Sequence, residues 1–140
     1  MTITPLKSEV TYYGEQVVLT ADCMGWHDFI WSLEPIKPEE NANYGLEVIS
    51  GVVLSGPYGF LSSSSGKSVI YTVTRLPTYT SGSEKIDHVQ TIYARTRNKS
   101  EPSDEPHSAG AARIIHMARL VENNWETNGS PTVRPTVNNP

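Results

Sequence analysis

Cysteine is almost absent from this chain. Cys23 stands alone, so no internal disulfide can brace the fold, and the residue reads as a small buried hydrophobe suited to a reducing birthplace. Long apolar runs are missing too. None is longer than Val52-Val53-Leu54, against the roughly 20 residues that a helix needs to cross a bilayer, so no membrane insertion is expected. The opening Met1-Thr-Ile-Thr-Pro-Leu-Lys has neither the basic start nor the apolar stretch of a secretory leader, which leads to an expectation of cytoplasmic synthesis without a signal peptide. Positive charge is scarce: 11 Lys and Arg stand against 15 Asp and Glu, a net charge of −4. With no basic stretch to neutralise a row of phosphates, nucleic acid is excluded as a partner.

What the chain does have is alternation. Its 140 residues suffice for one domain with a real core. Val17, Leu19, Ala21 and Cys23 fall on one face of a strand, and Phe29, Trp31 and Leu33 on one face of the next, which Pro35 and Pro38 then stop. Glu39 to Asn43 reads as a loop, and Leu46 to Ile49 and Gly51 to Leu54 as two short strands kinked at Gly51. Gly56-Pro57-Tyr58-Gly59 signals a turn, extended by the serines 62 to 65. Val69 to Thr74 and Val89 to Ala94 are rich in β-branched residues, and Ala111 to Leu120 reads as a final strand, although a helical face also fits it. About seven strands without a convincing amphipathic helix predict an all-β antiparallel sandwich over residues 1–120. From 121 to 140 the composition turns polar and proline-punctuated, and this stretch reads as an extended tail.

In order, Val17-Val18-Leu19-Thr20-Ala21-Asp22, Ile30-Trp31-Ser32-Leu33, Gly51 to Gly56, Val69-Ile70-Tyr71-Thr72, Gln90 to Thr96 and Ser108 to Ile115 resemble a bacterial immunoglobulin-like (Big-type) domain. Such domains occur in phage structural proteins and bacterial surface adhesins. The resemblance spans roughly residues 8–120 in overall pattern and implies an immunoglobulin-like sandwich. It departs from antibody-type domains at Ala94, where the second cysteine of the inter-sheet disulfide would stand. Trp31 would therefore pack against Cys23 and Ala94 with no disulfide. The resemblance implies no catalytic residues and no cofactor, only adhesion, display or assembly.

Motifs with chemistry are few. Ser65-Gly66-Lys67-Ser68 imitates the end of a phosphate-binding loop, but Leu61 stands where the first glycine belongs. His27, His88, His107 and His116 have no metal-ligand spacing, and no serine sits in a nucleophile elbow. Asp87-His88 could join a triad only if the fold brought a serine to it. No catalytic residue and no metal ligand is therefore named, and the chain is read as non-enzymatic. Asn98-Lys99-Ser100 and Asn128-Gly129-Ser130 match the glycosylation acceptor pattern, which means little without a leader. Tyr58 and Phe60, in a glycine-punctuated loop, are candidate outward aromatics for a ligand. In the tail, Trp125, Val133 and Val137 are the apolar anchors for a partner. A lone immunoglobulin-like domain without a leader suits a virion part made in the host cytoplasm. The expected function is thus a phage structural protein, a small decoration or accessory protein on capsid or tail, whose partners are other virion proteins or copies of itself. The alternative is a carbohydrate-binding or adhesion module that meets surface glycans through the loop aromatics.

Overall fold

The computed structural model describes residues 1–23, 28–40, 47–96 and 108–121. Among these, twelve strands and no helix are present. One four-stranded sheet has the order β1 (Thr2–Pro5), β3 (Gln16–Asp22), β8 (Ser68–Val73), β7 (Gly59–Leu61), with every neighbour antiparallel. The second has the order β2 (Glu9–Val10), β11 (Ala109–His116), β10 (His88–Thr96), β4 (Phe29–Ser32). Two small pairs complete the fold: the β5 (Lys37–Glu40) and β6 (Glu47–Ser50) hairpin, and the parallel pair β9 (Thr78–Tyr79) and β12 (Arg119–Leu120). The sheets repeat the ABED and CFG division of constant-type immunoglobulin domains, so the architecture is an immunoglobulin-like sandwich.

The first strand is divided between the sheets. β1 runs antiparallel to β3, then the chain crosses at Lys7-Ser8 and β2 runs parallel to β11. Glu15 fastens this crossing although it is only 3% exposed. One carboxylate oxygen takes the Lys7 ammonium at 2.6 Å and the other accepts the Thr11 N–H at 2.8 Å. Burial alone would raise the carboxyl's pKa, but the hydrogen bonds from Lys7 and the Thr11 backbone outweigh it and hold the pKa below the ordinary carboxylate value.

Strict alternation builds the core. Val17, Leu19 and Ala21 of β3 and Val69, Tyr71 and Val73 of β8 point inward, against Phe29, Trp31, Ile92, Ala94, Ala112 and Ile114 of the other sheet. Trp31 is fully buried, lies opposite Ala94 across the β4–β10 ladder, and donates its indole N–H to Gly66 O at 2.7 Å. Cys23 is only half-buried and packs at the margin of the core, not at its centre.

Several sequence expectations need correction. β4 ends at Ser32, ahead of Pro35, but Pro38 lies within a further strand, β5, and Glu39 and Glu40 of the expected loop are paired with β6. Gly51 to Leu54 forms no strand. Ser32 ties that segment beside β4 instead, its hydroxyl accepting from Val53 N at 2.9 Å. The expected strand Ala111 to Leu120 breaks after His116, because the chain leaves its sheet to pair with β9. Leu120 therefore faces solvent and does not share the inward face of Ile114. β1, β2 and β9 were not expected. They are short pairings whose partners lie far off in sequence.

Candidate functional site

Two features of the sandwich stand out, and the expected aromatics fall one on each. Tyr58 does not project from a loop. Its ring stacks on His88 with centroids 3.8 Å apart at 13°, and the Arg75 guanidinium lies 5.1 Å from its centroid on a cation–π contact. His116, fully buried, sits 5.5 Å from both Tyr58 and His88, tilted to each. Its Nε2 lies 3.0 Å from the Tyr71 hydroxyl. His88 and His116 are direct partners in the β10–β11 ladder, so the pairing itself brings the two imidazoles together. Gly59 makes room for the group: a Cβ there would collide with the Tyr71 hydroxyl and the Thr72 carbonyl.

The electrostatics follow from burial. Desolvation pushes the His116 pKa down to about 4, and backbone groups of His88 and Tyr58 counter only part of this. Burial also lowers His88, helped by the charge on Arg75, and raises the Tyr71 phenol well above its ordinary value. At neutral pH the cluster is uncharged apart from Arg75. Nε2 meets Tyr71 whichever tautomer is present, and Nδ1 of His116 has no hydrogen-bond partner among the described residues. The arrangement closes one end of the sandwich and takes up protons in acid. Sequence spacing gave no sign of the His88–His116 pair, although Ala112, Ile114 and His116 share one inward period. Asp87 does not orient His88: its carboxylate accepts Ala118 N at 2.7 Å and pairs with Lys85. Ser65-Gly66-Lys67-Ser68 is a turn with Gly66 at φ 108, and it leads into a strand rather than a helix.

Phe60 lies elsewhere, on the outer face of the β1-β3-β8-β7 sheet, 41% exposed. Along β3 the outward residues are Gln16, Val18, Thr20 and Asp22; along β8 they are Ser68, Ile70 and Thr72, and β1 adds Thr2 and Thr4. Register places Phe60, Thr72 and Gln16 in one row and Ile70 and Val18 in the next, where Leu6, 79% exposed, continues by donating its N–H to Val18 O at 3.0 Å. A hydroxyl row follows, with Thr20 and Ser68 hydrogen-bonded at 2.9 Å. Asp22 is the one ionisable side chain at these outward strand positions. Trp125, Val133 and Val137 lie outside the described residues, as do His27, His107 and both glycosylation acceptor motifs.

No family model matches the chain, and no curated protein matches it. Among solved structures the chain is similar to the class 5 fimbriae chaperone CfaA, with 13% identity and a TM-score of 0.49. The match covers 84% of this chain and 57% of the chaperone chain.

Proposed function

We propose that this chain is a non-catalytic assembly protein of the Big-type immunoglobulin-like class, an accessory or decoration subunit of a phage particle. In this reading it docks on a neighbouring subunit through the outer face of the β1-β3-β8-β7 sheet. The observation that carries the reading is the charge depletion of that face. A chain with 11 basic and 15 acidic residues places a single carboxylate there, amid threonine, serine and exposed Leu6 and Phe60. Protein interfaces deplete charge and keep aromatic residues at their centre, whereas a face meant only for water has no reason to exclude lysine and glutamate.

Docking by face rather than by strand addition fits the edges. The outer edge of β7 is bonded by the Leu54–Gly56 segment, β4 is bonded by Val53 and Ser64, and the other two edge strands, β1 and β2, are only four and two residues long. From strand spacings, the flat face measures roughly 400 Å², about half of what one partner contributes to a standard interface. A second contact is needed, and we assign it to the 122–140 segment, with Trp125, Val133 and Val137 as its apolar anchors.

The test is incorporation into particles. Wild-type chain should co-purify with virions, while Val18→Lys and Phe60→Lys, which add charge to solvent-facing positions, should melt within a few degrees of wild type and be lost from particles. Truncation after Val121 should also reduce incorporation. Normal incorporation of both lysine variants would refute the docking face, and absence of the wild-type chain from particles would refute the virion assignment.

A further inference from the structure

A second site lies outside that face. Thr11, Tyr12, Tyr13 and Arg119 line a cleft of about 290 Å³. The Arg119 guanidinium rests 5.4 Å from the Tyr13 ring centroid. Beyond that ring the guanidinium has no carboxylate or carbonyl partner among the described residues, although the residue is half-buried. The acid at this bend is committed elsewhere: Glu15 is held by Lys7 and the Thr11 N–H. The result is an arginine fork with open donors, set in an aromatic cleft.

Both walls are fixed by backbone bonds. On one side Gly14, at φ 83, donates to Val73 O at 2.8 Å and Glu15 N reaches Tyr12 O at 3.3 Å, so the two tyrosines are held at a tight bend. On the other, Arg119 N donates to Pro77 O at 2.8 Å, while Ala118 N is held by Asp87. A preformed cleft loses little entropy when a ligand enters.

We infer that this cleft binds a carboxylate-bearing sugar residue. Arg119 supplies the planar, bidentate partner for the carboxylate. Tyr12, 58% exposed, offers an open ring for the apolar face of a pyranose, since the Tyr13 ring is already covered by Arg119. The Thr11 hydroxyl and the Tyr12 phenol provide hydrogen-bonding groups for sugar hydroxyls. The volume suits a single ring, and no aliphatic side chain lines the cleft to hold the side chain of a peptide. The site shares no residue with the outer sheet face, so it stands or falls independently of the assembly reading.

The experiment is an NMR titration of the full chain with glucuronate, glucose and acetate at constant ionic strength. Glucuronate should shift residues 11–13 and 119 with a Kd of about 1 mM, and glucose and acetate should each bind at least about tenfold more weakly. Arg119→Ala should abolish the preference for glucuronate over glucose, and Tyr12→Ala should weaken glucuronate about tenfold; both positions reach solvent and leave the core intact. Absence of shifts up to about 50 mM glucuronate would overturn the site. Acetate binding as tightly as glucuronate would overturn the sugar assignment, leaving a site for any carboxylate, including a protein terminus.

Discussion

His116 is fully buried with its pKa pushed down to about 4, against 6.5 for the free side chain. Between those values the unfolded chain binds a proton that the folded chain refuses, so stability falls as pH drops from about 6.5 towards 4 and levels off below. At pH 4.5 the unfolded imidazole is almost wholly protonated and the folded one mostly neutral, which corresponds to a loss of about 2–3 kcal/mol relative to neutral pH. That is a large share of a domain's margin. His116→Gln keeps a polar partner for the Tyr71 hydroxyl and removes the titration. Urea unfolding of both proteins at about pH 7.5 and about pH 4.5 should show wild type losing about 2–3 kcal/mol more than the variant. The depressed carboxyls of Glu15 and Asp87 also weaken the fold in acid, but they do so in both proteins and cancel in the difference. An equal loss in the two proteins would refute a neutral, desolvated His116.

Two further substitutions probe the packing. Trp31→Ala removes the largest buried side chain among the described residues and strands Gly66 O without its indole donor, and should cost about 3–5 kcal/mol in denaturant unfolding; an unchanged melting temperature would show that Trp31 is not between the sheets. Gly59→Ala drives a methyl into the Tyr71 hydroxyl and the Thr72 carbonyl and should cost about 1–3 kcal/mol, with a shift of the His116 imidazole resonances as Tyr71 is displaced; a neutral outcome would mean that β7 can move away freely.

The sandwich was legible wherever one strand carried its own evidence. Val17, Leu19 and Ala21, or Phe29 and Trp31, declare an inward face by alternation alone, and the strands they predict are present. β1 and β2 were not legible, because Thr2 to Pro5 and Glu9-Val10 take their extended form from pairing with β3 and β11 rather than from local pattern. The reversal at Leu120 has the same origin: Ala118 is captured by Asp87 and Arg119 by Pro77, and these two backbone bonds turn the strand out of its sheet against its period-two pattern.

The sites were less legible still, because each is made by register. Tyr58 was expected to face outward on the strength of its glycine neighbours, yet the ladder that sets His88 opposite His116 creates a stack that draws it in. A shift of one residue in that ladder would separate the imidazoles and send His116 to the solvent face. Phe60, two positions further on, keeps its exposure because β7 pairs it with Thr72 on the outer side. Two aromatics only two positions apart thus part company, Tyr58 before the strand turning into the imidazole stack and Phe60 within β7 facing outward, and which of them meets a partner is decided by the pairings of β7 with β8 and of β10 with β11, about which residues 56–61 carry no information of their own.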